Sequence, residues 1–167
     1  METGLSLGSN VGDRHALLRE AYQRIIALPG VKERGRSPIY ETEPVGVAAE
    51  YQHLTYLNAV ILIESQAPAL ALLEQIHGIE AVMGRVRGSA PNLPRPIDID
   101  ILYVGSTIIK DADLCIPHPR WAERSFVVKP LSDLRPNLII PGASQPVKTI
   151  AASLPDAHTV HLFSLKW

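Results

Sequence analysis

The chain has 167 residues, 46% of them hydrophobic, and a net charge of −1. That length predicts one domain, residues 1–167, with one substantial core, and the balanced charge excludes a bulk electrostatic case for nucleic acid or an anionic membrane as partner. The single cysteine, Cys115, excludes an internal disulfide and a multi-cysteine zinc site, and with no signal-peptide pattern or bilayer-length apolar run it points to the cytoplasm.

Leu5-Ser6-Leu7 reads as a short opening strand that runs into the turn-rich Gly8-Ser9-Asn10-Val11-Gly12-Asp13. Such a loop ahead of a helix either holds an anion or simply turns the chain. Asp13 suits an N-cap for a helix from Arg14 to Leu28, whose apolar stripe is Leu17, Leu18, Ala21, Ile25 and Leu28. Pro29-Gly30 stops it. A second strand is expected over Val31–Tyr40, followed by a long connection from Glu41 to His53, a length that usually signals function or disorder. Tyr56–Ile63 is the third strand. Its alternation puts Tyr56 and Asn58 on one face, either as a stacking wall and hydrogen-bond reader for a flat heterocycle or as an edge pair facing water.

Ser65 to Met83 reads as the second long helix, with Pro68 in its first turn and a buried stripe of Leu70, Leu73, Ile76, Ile79 and Met83. Gly84-Arg85-Val86-Arg87-Gly88 ends it and opens a loop to Pro96. Two arginines at alternate positions there would face one anion, or complement the helix C-terminus. Later segments are a Thr107-Ile108-Ile109 hairpin partner for the preceding strand and the proline-braced Cys115–Arg120 loop with His118. Glu123–Val128, Pro130-Leu131 and Leu134–Pro141 follow without an assigned element. A helix over Val147–Leu154 and a strand over Val160–Phe163 close the chain.

The most informative stretch is Pro94-Arg95-Pro96-Ile97-Asp98-Ile99-Asp100-Ile101-Leu102-Tyr103-Val104. Isoleucines alternating with aspartates read as a strand with Asp98 and Asp100 on one face. Desolvated carboxylates need a counter-charge. A hard cation meets that need: Mg²⁺ takes one or two carboxylates and completes its shell with water and substrate phosphates. Two ions about 3.5–4 Å apart would suit such a pair. Arg95, held between two prolines, would face a polyphosphate. The competing reading is a solvent-facing edge strand with two ordinary surface aspartates. The order strand, helix, strand, strand, helix, strand, with C-terminal additions, is the split βαβ or ferredoxin-like α+β pattern, an antiparallel sheet with helices on one face.

In order, the segments Leu7-Gly8-Ser9-Asn10, Tyr40–Gly46, Tyr56–Val60, Gly84–Arg87, Pro94–Leu102 and Pro117-His118-Pro119-Arg120 through Arg124, Phe126 and Pro130-Leu131 resemble one family. It is 6-hydroxymethyl-7,8-dihydropterin pyrophosphokinase, an enzyme of folate biosynthesis. The resemblance implies transfer of the β,γ-diphosphate of ATP to the hydroxymethyl group of a reduced pterin, releasing AMP, by a monomer. It implies that Asp98 and Asp100 bind two Mg²⁺ and that Arg85 and Arg95 stabilise charge on the transferred group. Arg87, His118 and Arg124 would hold ATP phosphates or ribose, with Glu80 and the Ile101 backbone nearer the nucleoside. Tyr56 and Phe126 would sandwich the pterin, while Asn58, Thr42 and the Val45 backbone read its edge. Glu41–His53 and Gly84–Pro94 would be lids. Where some relatives carry a lid tryptophan this chain has Ser89–Leu93, and where some carry a tyrosine after the loop histidine it has Pro119. The alternatives are a two-metal nucleotidyltransferase, which would release free pyrophosphate, and a non-catalytic ligand-binding module.

Overall fold

A computed structural model describes residues 1–86, 93–155 and 159–167. The strands are β1 (Glu2–Ser9), β2 (Lys32–Arg36), β3 (Ile39–Thr42), β4 (Tyr56–Glu64), β5 (Asp98–Val104), β6 (Ile109–Lys110), β7 (Cys115–Ile116) and β8 (His161–Ser164). The helices are α1 (Arg14–Ile26), α2 (Ala69–Val82), α3 (Ser125–Leu134) and α4 (Val147–Ser153). The main sheet runs β5-β1-β4-β3-β8, with β2 also on β4, and every pairing is antiparallel.

Asp13 caps α1 as its sequence suggests, its carboxylate accepting the Ala16 N–H at 3.0 Å. The expected strand 31–40 is two strands placed end to end along β4. Pro38 has no N–H to continue a ladder. At the break the Ser37 hydroxyl accepts the Val60 N–H at 3.0 Å, and the Ser37 N–H donates to the Val60 carbonyl at 2.9 Å. The second helix starts later than expected, at Ala69, with Pro68 just outside it. Its buried stripe is Leu72, Ile76, Ile79 and Met83, so Leu70 is exposed and Leu73 only half-buried. Thr107-Ile108-Ile109 does not return onto the aspartate strand: Ile109 pairs with Ile116 in a separate two-stranded ribbon. Helix α3, for which no element is expected, contains Pro130. That proline removes one backbone bond inside the helix, a loss the apolar face of Val127, Val128 and Leu131 offsets.

Helices cover both faces of the sheet, not one. On one face Leu5, Leu7, Leu57, Ala59, Ile61, Ile63, Ile97, Ile99 and Ile101 meet α1 and α2. On the other, Val60, Leu62, Leu102 and Tyr103 meet α3 and the segment around α4. Period-two alternation along β1, β4 and the first half of β5 separates the two sets, and a bulge in β5 opposite Gly4 and Leu5 puts the successive Leu102 and Tyr103 on the same face. Gly4 lets the Tyr103 ring lie flat on β1, where any side chain would collide with it. The C-terminal helices cover only part of this second face. Ser6, Gly8, Tyr56, Asn58, Asp98 and Asp100 continue it beyond them as the floor of an open hollow.

Candidate active site

That hollow, about 320 Å³, is walled by Thr42–Val47 on one side and by Arg120, Arg124 and Phe126 on the other. Three strands supply the floor through one rule, since every second residue of each points the same way. Asn58 is 3% exposed, which disposes of the edge pair facing water, because β4 is an inner strand. Its Nδ2 donates to Thr42 Oγ1 at 2.8 Å, which leaves Oδ1 as an acceptor beside Gly8. A buried acceptor at the end of a slot is what an amide or amino edge of a heterocycle would complete. Tyr56 and Phe126 line the same hollow, as does Val45. The Arg124 guanidinium sits 5.6 Å over the Phe126 ring.

The two carboxylates are held by four cationic or ionisable side chains. Arg85 pairs with Asp98 Oδ1, and Arg95 Nη2 lies 3.2 Å from Asp98 Oδ2. Arg124 Nη1 lies 3.2 Å and His118 Nε2 3.8 Å from Asp100 Oδ2. His118 Nδ1 accepts the Arg120 N–H at 3.1 Å, so the neutral ring carries its proton on Nε2, toward Asp100. Burial lowers the His118 pKa, only partly opposed by Asp100 and reinforced by Arg124 and Arg120. The ring is therefore neutral at pH 7. Among the described residues no cluster of three or more His, Cys, Asp or Glu forms a metal cage. Two carboxylates on one strand, with arginines in reach, fit Mg²⁺ in its usual role beside phosphates.

A second hollow of about 200 Å³ runs along the open edge of β5, lined by His77, Arg85, Ile99, Ile101, Cys115 and His118 among others, and by both aspartates. Because β5 is an edge strand, its outward backbone groups need other partners. Glu80 Oε1 takes the Ile99 N–H at 2.8 Å. By alternation the Ile101 N–H and C=O face the same open edge.

Glu80 itself is fully buried, bonded to Arg85 and to Ile99, and lies behind the hollow wall rather than in it. Arg87 and most of the Gly84–Pro94 segment lie outside the described residues. Gly8, Ser6, Glu43, Arg120 and Glu123 line the first hollow without having been singled out. For Gly8 a signal existed, since a bare residue directly opposite Asn58 is legible once the strands are aligned. For the exposed loop charges there was none. Gly8 and Ser9, expected in a turn-rich loop, continue β1, and Asn10 directly after them holds a neighbouring loop, its Oδ1 accepting the Arg95 N–H at 2.9 Å.

A ferredoxin-like α+β sheet bearing paired carboxylates, convergent arginines and two hollows that meet at those carboxylates has the make-up of a phosphoryl-type transferase. A family profile described as 7,8-dihydro-6-hydroxymethylpterin-pyrophosphokinase matches residues 4–136. The 2-amino-4-hydroxy-6-hydroxymethyldihydropteridine pyrophosphokinase of Methylorubrum extorquens is 39% identical over 83% of this chain and 85% of its own length. The folic acid synthesis protein fol1 of Schizosaccharomyces pombe is 34% identical over 91% of this chain, which spans only 20% of fol1. The wild-type Plasmodium falciparum HPPK-DHPS crystallised with pteroate shares the fold at a TM-score of 0.67 and 16% identity, over 90% of this chain and 42% of that one. The chain belongs to the 7,8-dihydro-6-hydroxymethylpterin-pyrophosphokinase family. It is an ATP-dependent enzyme that transfers a pyrophosphoryl group to hydroxymethyldihydropterin in folate biosynthesis. No helix among the described residues is long and apolar enough to cross a membrane.

Proposed function

We propose that the first hollow takes the pterin, the β5-edge hollow takes ATP, and the reaction occurs between them over Asp98 and Asp100. The observation that carries this reading is that both aspartates line both hollows. Asn58 Oδ1 and the Thr42 hydroxyl read the amide and amino edge of the pterin, with the Val45 backbone beside them, and Tyr56 and Phe126 flank its ring. The open edge of β5 at Ile101 receives the nucleoside, and His118 and Arg124 hold the phosphates or ribose. Arg87 is proposed as a further phosphate contact from its sequence alone.

Two Mg²⁺ held by Asp98 and Asp100 would neutralise the phosphates and align them. The hydroxymethyl oxygen attacks the β-phosphorus and loses its proton, the bond from that phosphorus to the oxygen bridging to the α-phosphate breaks, and AMP leaves with its phosphate taking up the proton. Such a transfer needs positioning and charge stabilisation rather than a protein nucleophile. Arg85 and Arg95 supply that charge, since both already stand against Asp98. Glu80 serves ATP indirectly, by fixing Arg85 and the β5 edge. The whole chain acts as one domain, as a monomer, in the cytoplasm.

With ATP, Mg²⁺ and 6-hydroxymethyl-7,8-dihydropterin, the enzyme should release AMP rather than free pyrophosphate. Asp98→Asn and Asp100→Asn should each lower kcat at least about a hundredfold while the protein stays folded. Near-wild-type turnover in either variant would remove that aspartate from the metal site.

A further inference from the structure

Asn10, the residue directly after β1, carries no substrate role in the reading above, yet it is nearly as buried as the core, at 3% exposure. It makes two contacts across 85 positions of sequence, both to one residue. Its side-chain Oδ1 accepts the Arg95 N–H at 2.9 Å, and its own N–H donates to the Arg95 carbonyl at 3.4 Å. Arg95 lies between Pro94 and Pro96, neither of which has an N–H. The Arg95 amide is therefore the only backbone donor of the tripeptide, and Asn10 accepts it.

The far end of Arg95 shows why the root matters. Its Nη2 reaches Asp98 Oδ2 at 3.2 Å, and its Nε is buried with no hydrogen-bond partner among the described residues while the residue lines the first hollow. A donor kept dry and unpaired is available to a substrate oxygen. An arginine side chain has many rotamers, so a guanidinium aimed at a developing charge is only as well placed as the backbone that carries it.

We infer that Asn10 is a positioning residue for the transfer step: it clamps the Pro94-Arg95-Pro96 loop to the end of β1 so that the Arg95 guanidinium stands in the first hollow against Asp98, which lines both hollows. This rests on the proposed role of Arg95 and adds a residue that touches neither substrate. Asn10→Ala removes the acceptor and frees the loop. Asn10→Asp keeps an oxygen acceptor in place. Because the contact acts through Arg95, its removal has no further effect once Arg95 is gone.

The test is a double-mutant cycle on the full chain, with kcat and both KM values measured for Asn10→Ala, Asn10→Asp, Arg95→Ala and the Asn10→Ala/Arg95→Ala double variant. The clamp predicts a kcat loss of about ten- to a hundredfold in Asn10→Ala, little change in either KM, recovery of most of that loss in Asn10→Asp, and a double variant no slower than Arg95→Ala. If Asn10→Ala does not fold, Asn10→Ser takes its place, its hydroxyl being too short to reach the Arg95 amide. Additive losses, or wild-type kcat in Asn10→Ala, would overturn the clamp while leaving Arg95 in its role. Wild-type kcat in Arg95→Ala would overturn both.

Discussion

Gly8 stands directly opposite Asn58 in the β1–β4 ladder, and a Cβ built on it would lie 3.2 Å from Asn58 Oδ1. The amide cannot move aside freely, because its other end is held by Thr42 and the residue is buried. A methyl group here would tilt the reader or fill the end of the slot. Gly8→Ala should raise the pterin Kd by about ten- to a hundredfold, the cost of one unmade buried hydrogen bond. ATP affinity should be unchanged and the thermal midpoint should move by no more than about 5 °C, the tight contact being partly offset by the better fit of alanine to an extended strand. Equal weakening of both ligands in a calorimetric titration would mean that Gly8 supports the sheet rather than the slot. Thr42 belongs to the same unit: its hydroxyl fixes which end of the Asn58 amide faces the ligand.

At the scale of elements, α2 and β5 are joined through one buried carboxylate. Glu80 satisfies the Ile99 N–H on an edge strand and holds the Arg85 guanidinium, so the helix that covers the first core also orients Arg85. Arg85 keeps its charge: burial by itself would lower its pKa, but Asp98 and Glu80 more than reverse that. Glu80→Ala leaves an edge amide unsatisfied and removes half of the counter-charge of Arg85. It should lower the unfolding free energy by about 3 kcal/mol in urea titrations. Glu80→Gln keeps an acceptor for Ile99 and should lose clearly less. A silent Glu80→Ala would show that the carboxylate is dispensable to the join. The β3–β4 connection is anchored in a similar way, since Arg14 on α1 bonds Thr55 and Glu41 at its two ends.

Across the whole molecule, the site exists because α3 covers only part of the second sheet face. The C-terminal layer is tied to the first strand by Glu2. Its carboxylate accepts from Arg135 Nη2 at 2.6 Å and from the Tyr103 hydroxyl at 2.8 Å. The Arg135 hydrogen bond holds the Glu2 carboxyl below its ordinary 4.5, burial partly opposes this, and Tyr103 adds to the lowering. The native state thus binds that proton less readily than the unfolded chain. The stabilisation is complete above pH 4.5 and is lost as pH falls through the lower native value. Glu2→Gln should be less stable than wild type at pH 7 and should show a shallower loss on acidification, read from denaturant midpoints between pH 7 and about pH 3. Parallel curves for the two proteins would place the acid-labile contact elsewhere.

Period-two and period-3.6 patterns determined much of this protein from sequence alone. The alternation of Ile97, Ile99 and Ile101 with Asp98 and Asp100 fixes which side chains share a face, and Asp13 marks where α1 begins. Side-chain direction follows from local backbone geometry, which nearest neighbours in the chain decide. The tertiary structure alone decided that β5 is an edge strand whose outer amides are met by Glu80. It alone decided that α3 and α4 pack on the face opposite α1 and α2, and that Asn10 at the end of β1 holds the Arg95 backbone. These are pairings across tens of residues. They are selected by which surfaces are left to bury and which polar groups remain unpaired once the sheet has formed, and no local window of residues contains that information.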